Sequence, residues 1–304
     1  MTRKKFRLAI IALCLLVAPL LSVVWYYRLD TLAWYWFSIA WQKHTHSLRL
    51  PAYRVTLDAR PIAGITHNLS GLTYNAQTGT LFSVINDPAQ IAEITTEGQL
   101  LRLIPVTGID DLEGISHVGD NRFVVIDERS QQICWIQIDA ETQSVDATHM
   151  PRLGLGVQVN GNLGFEGISW DRNRQRLLVS KEKEPMRIFE IEGLPAWLDG
   201  SALNLQIREW LPENELPVFI RDISSLGTHS KTGHVLVLSD ESKLLVEYDA
   251  DKELIGILPL WRGWQRLNRS IPQAEGSTVD PEGNIYIVSE PNLFYRFEHP
   301  EGAP

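Results

Sequence analysis

Cysteine is scarce in this 304-residue sequence, which contains only Cys14 and Cys134. Cys14 lies in an apolar N-terminal run and Cys134 in a predicted strand, so the two are not a plausible disulfide pair. Neither has the spacing of a metal ligand. A disulfide-stabilised scaffold and a cysteine-based metal site are therefore excluded.

An excess of positive charge is also missing, since the formal net charge is −9. Nucleic acid is excluded as a partner because its phosphates would be repelled, whereas cations remain possible ligands. The sequence lacks the G-x-S-x-G, H-E-x-x-H and phosphate-loop motifs, so no nucleophile and base can be assigned. With 44% apolar and 21% charged residues, the chain has the composition of a globular protein and not of a disordered one.

The N-terminal segment has a 20-residue run without charge, from Leu8 to Tyr27. This length matches a helix that crosses about 30 Å of hydrocarbon. Basic residues precede the run at Arg3, Lys4, Lys5 and Arg7. By the positive-inside rule, they keep the N-terminus in the cytoplasm and send the rest outward. The alternative is a cleaved signal peptide, but its apolar region is usually shorter and ends at a small-x-small site, which is missing after Tyr27.

The sequence therefore divides into three regions. Residues 1–28 are a cytoplasmic basic tip and a transmembrane anchor. Residues 29–49 are a linker helix, rich in tryptophan and tyrosine, that lies at the membrane interface or, alternatively, packs on the following domain. Residues 50–304 are one soluble domain. We expect a single-pass protein of the bacterial inner membrane whose domain faces the periplasm.

Five segments of the soluble domain share one pattern, which is a short strand, a turn and a β-branched strand that ends at an acid. They are LSGLTYNAQTGTLFSVIND from Leu69, LEGISHVGDNRFVVIDE from Leu112, FEGISWDRNRQRLLVSKE from Phe165, RDISSLGTHSKTGHVLVLSDE from Arg221 and AEGSTVDPEGNIYIVSE from Ala274. The spacing between their first marker residues is 43, 53, 56 and 53 residues. Repeats of this length with four strands are typical of the blades of a β-propeller.

The blade count follows from how the ring closes. The last copy has only three strands before the chain ends, and YRVTLD from Tyr53 supplies the fourth. We therefore predict an all-β domain, a propeller of five blades with four strands each. Six blades remain an alternative if a degenerate blade lies between Glu190 and Asp222.

The repeat places acids at two positions, the start of the innermost strand and the end of the second strand. Because adjacent strands are antiparallel, both positions lie on one face of the disc. Nine of these ten positions are acidic, compared with 37 acids in 304 residues. We call these ten positions the acidic rim: Ser70, Glu113, Glu166, Asp222 and Glu275 at the starts, and Asp87, Glu128, Glu182, Glu241 and Glu290 at the ends.

Two interpretations of the acidic rim remain open. In one, each acid accepts backbone N–H bonds or pairs with a nearby cation such as Arg129 or Lys181. In the other, the acids bind a hard divalent cation, because crowded carboxylates are unfavourable without compensation; calcium suits such flexible oxygen sites. The predicted metal ligands are all the rim positions except Ser70.

The motifs NLSGLTYNAQTGTLFSVINDP, DDLEGISHVGDNRFVVIDER and GFEGISW with LLVSKEKEP resemble the SdiA-regulated family of bacterial envelope propellers. The resemblance covers about residues 50–300. It implies an N-terminal anchor, a likeness to calcium-dependent phytase-like and esterase-like propellers, and calcium as a ligand, without an established reaction. The positions that match the family's motifs are Asn86, Asp87, Asp111, Glu113, Glu128, Arg129, Glu166, Lys181, Glu182, Asp240, Glu241, Glu275 and Glu290.

The leading hypothesis for function is a calcium-binding or ligand-sensing envelope protein without catalysis. One alternative is a metal-dependent hydrolase of phosphoesters, esters or lactones, in which Arg129 or Lys181 would hold the substrate anion. Another is a scaffold that binds partner proteins. The sequence identifies neither a small-molecule ligand nor a protein partner.

Overall fold

The computed structural model describes residues 3–41, 47–155, 164–194 and 204–300. The chain divides into two compact units. One unit contains both α-helices together with Pro217–Phe219, and the other contains the strands.

The helical unit has helix α1 (Arg3–Tyr26) and helix α2 (Leu29–Trp41). Between them Arg28 has a φ of 51°, a left-handed conformation that a continuous α-helix does not contain. Many large apolar side chains of both helices are exposed, including Leu15, Trp25 and Trp41. In water this amount of exposed apolar surface is unfavourable.

Among the described residues, the two N-terminal helices are the candidates for a segment that spans a membrane. Neither helix alone is long and apolar enough, whereas the pair Ile10–Tyr26 and Leu29–Trp41 could do so together, with a bend of 60°. The helix expected over Leu8–Tyr27 is present within α1, and a second helix covers most of the expected linker helix. Membrane anchoring itself stays a prediction.

The second unit consists of short strands with two brief 3-10 helices, Leu50–Ala52 and Glu213–Glu215. The strands are β1 (Arg54–Pro61), β2 (Leu69–Asn75), β3 (Thr80–Asn86), β4 (Ala89–Ile94), β5 (Leu100–Thr107), β6 (Leu112–Gly119), β7 (Arg122–Asp127), β8 (Gln132–Gln137), β9 (Val145–Asp146), β10 (Arg152–Gly154), β11 (Phe165–Asp171), β12 (Arg176–Lys181), β13 (Arg187–Glu192), β14 (Gln206–Leu211), β15 (Ser225–Thr228), β16 (Val235–Ser239), β17 (Leu244–Tyr248), β18 (Leu254–Pro259), β19 (Ala274–Val279), β20 (Ile285–Ser289) and β21 (Leu293–Glu298).

These strands form five antiparallel sheets, which we number as blades one to five along the chain. From the innermost strand outward, the blades are β2-β3-β4-β5, β6-β7-β8-β10, β11-β12-β13-β14, β15-β16-β17-β18 and β19-β20-β21-β1. Strand β9 adds to the edge of blade one in parallel with β5. The innermost strands of neighbouring blades contact one another around a central channel. An all-β, five-bladed propeller is therefore confirmed.

The six-blade alternative is wrong. It required a further blade between Glu190 and Asp222, but β14, within this segment, is the outermost strand of blade three. Its residues pair with β13 from Glu192 opposite Gln206 to Ile188 opposite Leu211. The described part of this segment therefore completes blade three and does not form another sheet.

Ring closure occurs where the sequence predicted it, because β1 pairs antiparallel with β21. Arg54 lies opposite Glu298, and Pro61 lies opposite Leu293. The chain just before β1 is held as well: the buried Tyr53 hydroxyl donates to the carbonyl of Gly283 at 2.7 Å. Ser47 and the amide of Leu48 both donate to the fully buried carboxylate of Glu247 in blade four.

The hydrophobic core consists of layers between neighbouring blades. In β7, Phe123 and Val125 pack toward blade one, whereas Val124 and Ile126 pack toward blade three. Phe123 meets Phe82 of blade one with ring centroids 4.7 Å apart. Because the middle strands are buried on both faces, they are almost continuously apolar in sequence and do not alternate with polar residues.

Deletion of residues 50–57 should abolish cooperative unfolding of the propeller. The deletion removes half of β1 together with Tyr53, and it exposes the edge of β21 to aggregation. Thermal and urea unfolding followed by tryptophan fluorescence, with sedimentation to detect aggregates, measure this effect. The control Thr56→Ala changes an exposed side chain of the same strand and should unfold like the unaltered protein. A monomeric deletion variant with an unchanged midpoint would contradict this account of closure.

Candidate functional site

The acidic rim depends on an irregularity at the start of the innermost strands. The pairing register shifts between Ser70 and Leu72, between Leu112 and Gly114, and between Ala274 and Gly276. Such β-bulges bend the strand and redirect a side chain. In these repeats, the rim position and the glycine that follows it therefore lie at a bulge.

Glycine is required beside the acid because the innermost strands approach each other closely. A Cβ at Gly71 would lie 2.7 Å from the carbonyl oxygen of Glu113, and one at Gly114 would lie 2.5 Å from that of Glu166. Any larger residue would push neighbouring blades apart. The sequence motif thus encodes both the narrow channel and the acids that line its mouth.

Three carboxylates form the tightest group, which we call the carboxylate cluster: Asp111, Glu113 and Glu128. One oxygen from each lies within 4.8 Å of the others. Glu128 accepts a hydrogen bond from the amide of Gly164 at 2.9 Å, and Glu113 accepts one from the side chain of Asn86 at 2.7 Å. The potential metal-ligand atoms of the three carboxylates are hard oxygens, which calcium prefers. Together the three groups can offer up to six of them. The cluster therefore fits a hard divalent cation.

A second group of rim acids lines an adjoining cavity of about 370 Å³, which we call the acidic recess. Lys183 lies among them and pairs with Glu182 at 2.6 Å and with Glu241 at 3.1 Å. Burial opposes the charge of this lysine, but these two carboxylates keep its pKa above the usual value. The rim acids of the recess are Glu166, Glu182, Asp222, Glu241 and Glu275.

Burial and mutual repulsion raise the pKa values of several rim acids. Burial raises the pKa of Glu128 to about 7, with further contributions from Glu113, Asp111 and Glu182. Burial also raises the pKa of Glu275 to about 7. The pKa of Glu166 lies well above its usual value, first through burial and then through Glu182 and Glu275. The ionised form of each of these carboxyl groups is unfavourable here. Each group therefore takes up a proton or requires a cation nearby.

Some rim positions have contacts of other kinds. Asp222 is buried and accepts hydrogen bonds from the hydroxyl of Ser239 and the amide of Glu241. Asp87 is exposed, and Ser70 donates to the carbonyl of Glu113 at 3.0 Å. Burial raises the pKa of Glu290. The ten positions therefore share one face of the disc but not one ligand site.

The two predicted anion-holding residues differ in accessibility. Arg129 is exposed and lies 3.6 Å from Asp111. Lys181 is only 1% exposed, and its ammonium group donates to the backbone carbonyls of Lys183 and Glu184. An anion at Lys181 would have to replace these contacts, whereas Arg129 is accessible beside the carboxylate cluster.

The sequence-based ligand set omitted Asp111, although this residue stands immediately before the second repeat. It was identified only as one of the positions that match the family's motifs. The backbone explains its position: the amide of Glu128 donates to the carbonyl of Asp111 at 2.9 Å. This bond joins the start of β6 to the end of β7 and brings all three acids together.

A family model described as SdiA-regulated matches residues 45–298, which is nearly the whole propeller unit. The chain belongs to the SdiA-regulated family. The resemblance inferred from the repeat motifs is therefore confirmed.

Solved structures support the fold of this SdiA-regulated protein. Glutaminyl cyclase of Myxococcus xanthus has a TM-score of 0.52 and 15% identity over 81% of this chain and 95% of its own. A luciferin-regenerating enzyme has a TM-score of 0.52 and 11% identity, with 82% and 97% covered. A calcium-binding regucalcin of Agrobacterium tumefaciens has a TM-score of 0.50 and 9% identity, with 80% and 92% covered. At these identities, the likeness concerns the fold alone.

In the presence of a chelator, the propeller should lose stability as the pH rises from about 4.5 to about 7. The pKa values of Glu128 and Glu275 are about 7 in the folded protein and near 4.5 when unfolded. The folded state therefore binds more protons in this window, and its stability falls with pH. Urea unfolding at pH 5 and pH 8 measures the loss.

The variant Glu275→Gln should reduce this pH dependence because it removes one of the carboxyl groups whose pKa is raised in the folded protein. Asp87→Asn is the matched control, since it changes an exposed rim acid outside both groups. Equal pH dependence in the unaltered protein and in Glu275→Gln would contradict the assignment of the raised pKa values.

Proposed function

We propose that this SdiA-regulated propeller is an inner-membrane protein whose soluble domain faces the periplasm and binds calcium at the carboxylate cluster. Its role would be that of a calcium-binding or ligand-sensing envelope protein and not of an enzyme. The observation that carries the proposal is the convergence of Asp111, Glu113 and Glu128, with ligand oxygens within 4.8 Å.

The distribution of cations around the rim favours a bound metal ion over structural pairing at the cluster. Lys183 compensates Glu182 and Glu241 in the acidic recess. Within the described residues, by contrast, no lysine or arginine forms an ion pair with Glu113 or Glu128. The only such pair at the cluster joins Asp111 to the exposed Arg129, and exposed pairs contribute little. Ion pairing with Lys183 therefore compensates part of the negative charge of the recess. At the cluster, calcium is proposed to supply the compensation.

Calcium would compete with protons for the cluster. Burial and neighbouring acids raise the pKa of Glu128 to about 7. A hard cation binds the ionised form, so its binding would release protons and strengthen as the pH rises. The regucalcin of similar fold is itself a calcium-binding protein, which supports calcium as the ligand proposed here.

The proposed membrane location rests on the N-terminal helices. Their side chains are apolar and largely exposed, and a basic stretch precedes them. Trp25, Tyr26 and Tyr27 stand at the end of α1, as expected for residues at a membrane interface. Burial of this surface in lipid would remove it from water, and the preceding basic residues would keep the N-terminus in the cytoplasm.

The hydrolase alternative has one supporting observation, the acidic recess of about 370 Å³ beside the cluster. Catalysis would need a metal-bound water with space next to it for a substrate, and the recess offers such space. A scaffold function would instead use the disc face without a metal. Measurement of unfolding temperatures with calcium, followed by turnover assays on a panel of phosphoesters, esters and lactones, separates these functions.

Calcium should raise the unfolding temperature of the full-length protein. A ligand that binds only the folded state at one hundred times its Kd adds about 2.7 kcal/mol of stability. The double variant Glu113→Gln with Glu128→Gln should lose this increment and remain folded in chelator. Glutamine retains an acceptor for Asn86 and Gly164 but lacks the charge that the cation requires.

Asp87→Asn is the matched control and should keep the full calcium increment. Magnesium at the same concentration tests for selectivity. The absence of a calcium shift in the unaltered protein would refute the metal proposal and leave the scaffold function. Calcium-dependent turnover of any substrate in the panel would favour the hydrolase.

A periplasm-active reporter enzyme fused after Pro304 should be active, and the full-length protein should remain in the membrane fraction. This follows from the basic residues before an uncharged run of 20 residues. A cytoplasm-active reporter at the same position serves as the control and should be inactive. The reverse pattern of reporter activity, or a shorter soluble product, would contradict the proposed topology.

A further inference from the structure

The end of the central channel opposite the acidic rim contains a second cavity, of about 270 Å³. Residues from the innermost strands of all five blades line it. These residues lie toward the ends of the strands, whereas the rim acids lie at their starts. The channel therefore has two mouths of different composition.

A ring of five hydroxyl side chains, one from each blade, lines this cavity. In four of the repeats, the hydroxyl residue stands three positions after the rim position. The ring therefore repeats with the blades, as the acids do. We call it the hydroxyl ring: Thr73, Ser116, Ser169, Thr228 and Thr278.

The ring hydroxyls connect neighbouring blades as hydrogen-bond acceptors. Thr278 accepts the amide hydrogen of Tyr74 at 3.2 Å, and Thr73 accepts that of His117 at 3.0 Å. Ser116 accepts the amide hydrogen of Trp170 at 2.9 Å. These bonds give the ring a structural role that uses the oxygen atoms but leaves the hydroxyl hydrogens unused.

The hydroxyl hydrogens are therefore surplus donors. Among the contacts of the described residues, no acceptor is found for the hydroxyl hydrogens of Thr73, Ser116 and Thr278. Ser169 and Thr228 share one hydrogen bond of 2.9 Å, which leaves one further hydrogen. Four O–H donors thus surround one cavity, where they can donate to a bound ligand.

The charge that lines this cavity differs from that of the rim, although Asp280 and Glu282 lie near enough to add, after burial, to the raised pKa of the lining residue Tyr74. No carboxylate is found among the described residues that line the cavity, and Arg172 is its charged lining residue. Burial lowers the pKa of His117, whose Nε2–H donates to the carbonyl of Asp120 at 2.8 Å. The rest of the lining includes Trp170, Tyr74 and aliphatic side chains.

We propose that this cavity binds a small organic carboxylate. The hydroxyl ring and the Arg172 guanidinium supply donors for the anionic group, and the aromatic and aliphatic lining contacts the remainder of the ligand. The cavity lies just below the range of about 300–1,000 Å³ that holds drug-sized molecules, so the ligand is smaller than these. This site does not depend on calcium binding at the opposite mouth.

Calorimetric titration of the full-length protein tests the proposal, with benzoate as the probe and benzamide as its neutral isostere. Benzoate should bind at least about tenfold more tightly than benzamide, because hydrogen bonds to a charged acceptor are the stronger ones. Arg172→Gln should weaken benzoate binding by about tenfold or more. Thr73→Val, which removes one ring donor at similar volume, should also weaken it.

Arg269→Gln is the control for loss of an exposed positive charge and should bind benzoate like the unaltered protein. Melting curves without ligand establish that each variant is folded; if Thr73→Val unfolds, Arg172→Gln carries the test. Equal affinity for benzoate and benzamide, no binding of benzoate, or unchanged binding by Arg172→Gln would each overturn the proposal. Tighter binding of inorganic phosphate than of benzoate would overturn the assignment to carboxylates.

Discussion

The pairing of β1 with β21 determines whether this protein has a channel at all. Blade five has only three strands from the end of the chain, and its fourth comes from residues that precede the first repeat. Each blade buries its two faces against its neighbours, so an open ring would expose apolar faces as well as strand edges. Ring closure therefore brings together acids that lie more than 150 residues apart in the sequence, such as Glu113 and Glu275.

Closure also crowds the negatively charged carboxylates of the acidic rim together. Five innermost strands converge, and an acid stands at or just before the start of each of them except the first. Lys183 compensates part of this charge in the acidic recess, whereas the carboxylate cluster has only the exposed Arg129 nearby. Burial first, and then the crowding of neighbouring acids, raise the pKa of Glu128. The proposed calcium ion would relieve the same crowding, because a proton and a cation do so in different pH ranges.

The two mouths of the channel follow from a single repeating strand. In three of the five blades the start of this strand carries an acid next to a glycine, and in all five its later part carries a hydroxyl residue. Repetition around the ring converts the first position into a mouth rich in carboxylates and the second into a mouth rich in hydroxyl donors. A propeller of this kind can therefore offer a site for a cation and a site for an anion at opposite ends of one channel.

The sequence alone determined the all-β class, the repeat, the closing strand and the face on which the acids lie, because these depend on strand periodicity and antiparallel alternation. It left five and six blades open, since the length between Glu190 and Asp222 does not reveal that β14 belongs to blade three. Tertiary structure decided which acids meet. Asp111, Glu113 and Glu128 converge through a bulge and a backbone bond, Asp222 accepts bonds from a turn, and Asp87 remains exposed. Repeat positions define a face of the disc, whereas distances of a few ångströms depend on bulges, side-chain rotamers and contacts between blades that no spacing in the sequence specifies.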